Sequence, residues 1–161
     1  MKVLWLLHGA NLDMLGRRDP GLYGSETLTQ LEQRVTRRAE QRGFEVRAHQ
    51  TNFEGEFIEL LHEIAVTGGD AVIVNPGAWT HYSYAIRDAL ELVRCPVAEV
   101  HLSAVGEREE WRRTSVIADL AAVRVAGRGV DGYLEAVDRL AELMGDEPAA
   151  RPVDQPEKED R

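Results

Sequence analysis

Short apolar runs and longer segments with an apolar residue at every third or fourth position take turns along this chain. Residues 2–8 contain Val3-Leu4-Trp5-Leu6-Leu7, bounded by a Gly-rich stretch, and predict a buried strand. Leu28, Leu31, Val35 and Ala39 then recur at helical spacing. Residues 45–50 predict a second strand, with Gly43 marking the helix end before it. Phe57, Leu61, Ile64 and Ala65 form the next stripe, stopped by Gly68-Gly69. Residues 70–75 hold Ala-Val-Ile-Val, too short for a helix and typical of a central parallel strand. Tyr82, Ile86, Ala89 and Val93 give a third stripe, and residues 97–101 a fourth strand. Residues 107–115 predict a short polar helix, 121–126 a fifth strand, and Tyr133, Val137, Leu140 and Met144 the last helix. Strand–helix alternation repeated in this way implies an α/β domain with a parallel sheet covered on both faces.

The 161 residues suit one domain, and 43% hydrophobic content is enough for a sizeable core. That domain is expected to span residues 1–145. Residues 146–161 differ in kind, with three prolines, six acids and three bases but no apolar periodicity, so the tail is expected to be disordered. A net charge of −9 carries no electrostatic footprint for nucleic acid. Cys95 is the single cysteine, which excludes an intrachain disulfide and suits a reducing compartment. No apolar run approaches the roughly 18 residues of a membrane span, and the first residues lack a signal-peptide pattern. The expected location is the cytoplasm, with no membrane partner.

In an open parallel sheet, ligands bind beyond the carboxyl ends of the strands, where the strand order switches. Three segments with distinctive chemistry leave such ends: residues 8–25, 75–81 and 99–113. They are expected to converge. The first is long for a strand-to-helix connection and carries Asn11, Arg17, Arg18 and Tyr23, as a functional lid would. Its plainer reading is a surface loop with a solvated arginine pair. In the second, Asn75 closes a strand, Thr80 is a candidate helix cap, and His81 lies beside the helix start. In the third, Glu99 and His101 stand at i and i+2 of a strand and face the same way. A carboxylate there fixes the imidazole tautomer and favours its charged form.

Several signatures fail. The first loop has no GxGxxG and no GKS or GKT. Histidines 8, 49, 62, 81 and 101 are dispersed, without HxxxH or HExxH, so no metal site is expected. No G-x-S-x-G elbow supports a serine nucleophile.

Gly9-Ala-Asn11-Leu, Leu15-Gly16 to Tyr23-Gly24, Asn75 to Ser83, Arg87-Asp88, Glu99-Val-His-Leu-Ser103 and Arg108-Glu-Glu-Trp-Arg-Arg113 follow one another in fixed order. In these blocks, spread over residues 3 to about 144, the chain resembles the type II 3-dehydroquinate dehydratases. The resemblance implies a flavodoxin-like three-layer sandwich with strand order 2-1-3-4-5. It implies conversion of 3-dehydroquinate to 3-dehydroshikimate and water by anti elimination through an enolate, without cofactor, in aromatic amino acid biosynthesis. It also implies a homododecamer built as a tetramer of trimers. Tyr23 matches the base and His101 the acid, with Arg18, Asn11 and Glu99 assisting. Asn75, His81, Asp88, Leu102, Ser103 and Arg112 match substrate-contacting positions, and Asp88 is expected to reach a neighbouring subunit's site. Ala10 stands where such chains commonly have Pro, Pro76 and Ala78 vary the turn after the third strand, and Thr114 replaces a frequent His.

The residue types suit that chemistry. A base must take a proton from the carbon beside the ketone, and an acid must protonate the departing β-hydroxyl. An ordinary tyrosine, with a pKa near 10, is ionised in about one molecule in a thousand at pH 7. Bringing such a phenol to neutrality requires about 4 kcal/mol of preferential phenolate stabilisation. One cation at about 4 Å, with an effective dielectric of about 20, supplies about that much. Arg18 is the obvious source, and Arg112 or Arg113 are expected to add to it if the third loop folds over. Two other readings stand beside this one: a flavin- or ligand-binding module on the same fold, and a catalytically silent homologue.

Overall fold

The computed structural model describes residues 1–145; the expected tail and the domain boundary against it lie outside the described residues. Five strands form one sheet in the order β2-β1-β3-β4-β5: β1 (Lys2–His8), β2 (Phe44–Gln50), β3 (Ala71–Asn75), β4 (Val97–His101) and β5 (Val123–Ala126). Every neighbouring pair runs parallel. Between them lie the one-turn helix α1 (Pro20–Tyr23), then α2 (Leu28–Gln41), α3 (Glu54–Thr67), α4 (Tyr84–Leu90) and, last, α5 (Gly129–Leu143). The architecture and strand order agree with the sequence-based expectation.

Strand alternation divides the core in two. Leu4 and Leu6 of β1, with Ile73 and Val100, pack under Leu31 and Val35 of α2 and Tyr133, Val137 and Leu140 of α5. Trp5 and Leu7 point the other way and, with Val72 and Val74, meet Phe57, Leu61 and Ile64 of α3 and Ile86 of α4. β3 and β4 are buried at every position, as central strands covered on both faces must be. β2 sits at the sheet edge, and much of it is exposed. Thr27 caps α2 in a capping box with Gln30.

Four local expectations differ from what forms. The first loop is not featureless: residues 12–14 make a 3-10 turn, and Asp19 caps the Pro-initiated α1 through the Gly21 N–H. The cap of α4 is Ser83, which accepts from Ile86 N–H, so Thr80 is free for another role. Tyr82 precedes α4 and is exposed. The polar helix expected over 107–115 is instead a pair of 3-10 turns, Val105–Glu107 and Glu110–Arg113. Neither turn contains a buried residue, so no apolar stripe offsets the cost of nucleating a longer helix.

The β1 and β3 ends meet at backbone distance. His8 pairs with Asn75 in register, and Gly9 N–H donates to Asn75 C=O at 2.8 Å. A Cβ on Gly9 would lie 2.4 Å from the Pro76 carbonyl oxygen, which neither strand end can easily avoid. Gly9→Ala is therefore expected to lower the unfolding free energy by about 1–3 kcal/mol. A lower urea midpoint at unchanged slope would show it.

Candidate active site

Beyond the carboxyl ends of β1, β3 and β4, the three expected segments enclose one cleft. Asn11, Arg18 and Tyr23 line it from the first segment, Asn75 and His81 from the second, and His101, Leu102, Ser103, Arg108 and Arg112 from the third. Ten residues thus come together from positions spread over most of the domain.

Tyr23 ends the one-turn helix α1, half-buried against the α2–α5 core. Arg18 precedes the Asp19 cap, and the turn folds it back over the phenol. Its guanidinium carbon stands 3.7 Å from the ring centroid, and Nη2 donates to Tyr23 Oη at 2.8 Å. A second cation reaches the same oxygen: Arg108 Nη1 donates to Tyr23 Oη at 3.0 Å and to Ser103 Oγ at 3.1 Å. Sequence reasoning expected Arg112 or Arg113 in that place. Arg113 is exposed, and Arg112 lines the cleft while its Nε donates to Glu109 Oε2 at 2.8 Å. The 3-10 turn Val105–Glu107 brings the chain back toward Ser103, which is why Arg108 and not a later arginine arrives at Tyr23. Arg108 had no signal beyond its place at the head of the matching block, because nothing local marks where such a turn aims its next side chain.

Glu99 and His101 share a face of β4, and His101 Nε2 lies 2.8 Å from Glu99 Oε1. Glu99 is buried and also accepts from Thr80 Oγ1 at 2.5 Å, Ser115 Oγ at 2.9 Å and Arg124 Nε at 3.1 Å. Burial alone would raise its carboxyl, but bonds from His101, Thr80 and Ser115 outweigh that and hold it down to about 2. Thr80, expected as a helix cap, thus serves this carboxylate; Ser115 and Arg124 went unnoticed because they lie 16 and 25 residues from Glu99 and reach it only through the fold.

His81 stacks on His101, with ring centroids 6.3 Å apart, and meets the edge of Trp111. Its Nδ1 donates to the Thr114 carbonyl at 2.7 Å, so the main chain at position 114 orients the ring whatever side chain stands there. Burial, with Arg112 adding to it, holds His81 below the ordinary histidine value, and with Nδ1 donating the neutral ring has Nε2 as its acceptor. Asn75 Oδ1 accepts from Gly77 N–H at 3.2 Å, while Nδ2 donates to Tyr133 Oη at 2.8 Å beneath the cleft floor. Asp88 is exposed on α4 and does not line the cleft of its own chain.

Known proteins match this fold and sequence together. The family model of class II dehydroquinases matches residues 1–141. The chain belongs to the class II dehydroquinase family. A 3-dehydroquinate dehydratase of Pelotomaculum thermopropionicum is 48% identical over 145 residues, which is 90% of this chain and 99% of that protein. The 3-dehydroquinate dehydratase of Desulfitobacterium hafniense strain Y51 is 45% identical over 144 residues, 89% of this chain and 98% of that one. The crystal structure of type II dehydroquinase from Propionibacterium acnes superposes with a TM-score of 0.84 at 37% identity, covering 88% of this chain and 97% of that one. Membership of the dehydroquinase family sets aside the flavin-module reading. Among the described residues of this dehydroquinase, no three His, Cys, Asp or Glu side chains form a metal cluster.

A carboxylate held below its ordinary value stabilises the fold above that value, 4.5, and ceases to do so as the pH falls through about 2. Unfolding free energies of the unsubstituted protein and Glu99→Gln are expected to differ at neutral pH. They should converge between these two limits, as denaturant titrations at a series of pH values would show.

Proposed function

We propose that this dehydroquinase removes water from 3-dehydroquinate to give 3-dehydroshikimate, with Tyr23 as the base and His101 as the acid. The observation that carries the assignment is two guanidinium groups, of Arg18 and Arg108, on a single phenol oxygen. Both guanidinium groups stand at hydrogen-bond distance as charge-assisted donors to the oxygen that a tyrosine base must use.

In the reaction, the Tyr23 phenolate takes the proton from the carbon beside the ketone, and the electron pair moves onto the ketone oxygen. Asn11 assists at the enolate oxygen that develops there. The enolate then collapses, restoring the ketone and forming the C=C bond as the C–O bond to the β-hydroxyl breaks. His101, its Nε2 engaged by Glu99, gives that hydroxyl a proton from its other ring nitrogen, and it leaves as water. Glu99 remains ionised and holds the imidazole in place. Ser103 and the main chain at Leu102 receive the substrate carboxylate, while Asn75, His81 and Arg112 receive the hydroxyls. The scheme draws every proton transfer from side chains of the protein and calls for no cofactor. Residues 16–24, bounded by Gly16 and Gly24 with φ of 86° and 73°, act as the lid that carries Arg18 and Tyr23 in and excludes water.

Asp88, clear of its own cleft, serves the site of a neighbouring subunit in a homododecamer of four trimers. The described residues 1–145 hold the whole sheet and its covering helices, and none of those helices is long and apolar enough to cross a membrane.

Formation of the conjugated enone gives a direct assay. Tyr23→Phe should abolish turnover while the protein stays folded, and Arg18→Ala should cost several orders of magnitude in kcat/KM. Substantial turnover by folded Tyr23→Phe would remove Tyr23 as the base, and a silent unsubstituted protein would remove the activity itself.

A further inference from the structure

Among the described residues, Asn11 is the sole non-glycine residue with positive φ, at 70°. The left-handed conformation is disfavoured for side-chain-bearing residues and persists where surroundings hold it. Asn11 precedes the 3-10 turn over residues 12–14, and its own side chain makes no capping bond there. The support comes from another strand.

Asn52 follows β2 by two residues. Its Oδ1 accepts from the Asn11 backbone N–H at 2.8 Å, and its Nδ2 donates to Asp13 Oδ2 at 3.0 Å. Gln50, the last residue of β2, donates through Nε2 both to the same Asn52 oxygen at 3.1 Å and to the Gly9 carbonyl at 3.2 Å. The intervening Thr51 is tied to β1 through its N–H on the His8 carbonyl at 3.0 Å. One planar amide, braced by a glutamine, therefore grips the chain at Asn11 and again at Asp13, with the glutamine holding Gly9. Asn52 does not itself line the cleft, whereas Asn11 does.

We propose that Asn52 is a positioning residue for the dehydration, holding Asn11 in the left-handed conformation that presents it to the cleft. The inference rests on the reading that Asn11 assists at the enolate oxygen. Asparagine is the residue this place requires. It must accept from a main-chain N–H with one atom and donate to a carboxylate with the other, and aspartate would set two carboxylates against each other.

A double-substitution cycle tests it, with kcat and KM for 3-dehydroquinate measured for Asn11→Ala, Asn52→Ala and the pair. Asn52→Ala is expected to lower kcat about tenfold, the equivalent of one hydrogen bond, with KM within about twofold. Added to Asn11→Ala, it should cost nothing more, because the residue it positions is gone. Asn52→Asp should show a similar loss, and adding Asp13→Asn should return most of it, since an amide at position 13 then donates back to the carboxylate at 52. Unchanged kcat in Asn52→Ala, an equal loss in both Asn11 backgrounds, or no recovery on adding Asp13→Asn would overturn the proposal while leaving the role of Asn11 standing. Full activity in Asn11→Ala would instead refute the reading of Asn11, and the positioning role with it.

Discussion

Parallel pairing of β1 with β3 governs where everything else can be. His8 and Asn75 end their strands side by side, and Val74 pairs with Glu99, which brings the end of β4 to the same edge of the sheet. From β1 the chain turns outward to β2, whereas from β3 it works across to β4 and β5. The connections leaving β1 and β3 therefore part company, and the gap between them is open to a ligand. Contact at the floor of that gap is main chain against main chain. Gly9 admits the Pro76 carbonyl, and Gly77, at φ 63°, fits beneath the Ala10 carbonyl.

Charge is sorted around the cleft against the balance of the whole molecule. A chain with net charge −9 nevertheless gathers Arg18, Arg108 and Arg112 about the opening. Its buried acid, Glu99, sits behind His101 with donors on every side. Arg18 and Arg108 meet at the Tyr23 oxygen, whereas Arg112 lies over Trp111, on the side of His81 and the His101–Glu99 pair. Overall charge says nothing of this, because it sums over a solvated acidic surface.

Local and distant contributions differ in how they are built. Arg18 and Tyr23 lie five residues apart with Asp19-Pro20 between them, so a single capped turn suffices to stack one on the other. Their relation is a property of the lid segment alone. Arg108 arrives from 85 residues away, and Asn52 reaches Asn11 across the sheet edge from a strand that contributes nothing to the cleft lining. These contacts exist through the register of β1 with β2 and the path of the turns after β4.

Much was legible before any coordinates. Alternating apolar runs and helical stripes specify a parallel sheet, since a run such as Ala-Val-Ile-Val can be buried only as a strand covered on both faces. The polar blocks after three of those strands specify which segments meet, because a parallel sheet sends all its carboxyl ends the same way. Convergence of the segments follows from that directionality, whereas the choice of Asn11, Arg18, Tyr23, Asn75, His81, His101, Leu102, Ser103 and Arg112 within them is what the family resemblance implies, and all nine line the cleft. Tertiary structure decided the rest: that Arg108 is the second cation, that Thr80 serves Glu99 and not a helix, and that Asn52 stands behind Asn11. Periodicity reports which face of an element is buried. It does not report where a long side chain ends, and hydrogen bonds between segments far apart in sequence depend on that endpoint to within a fraction of an ångström.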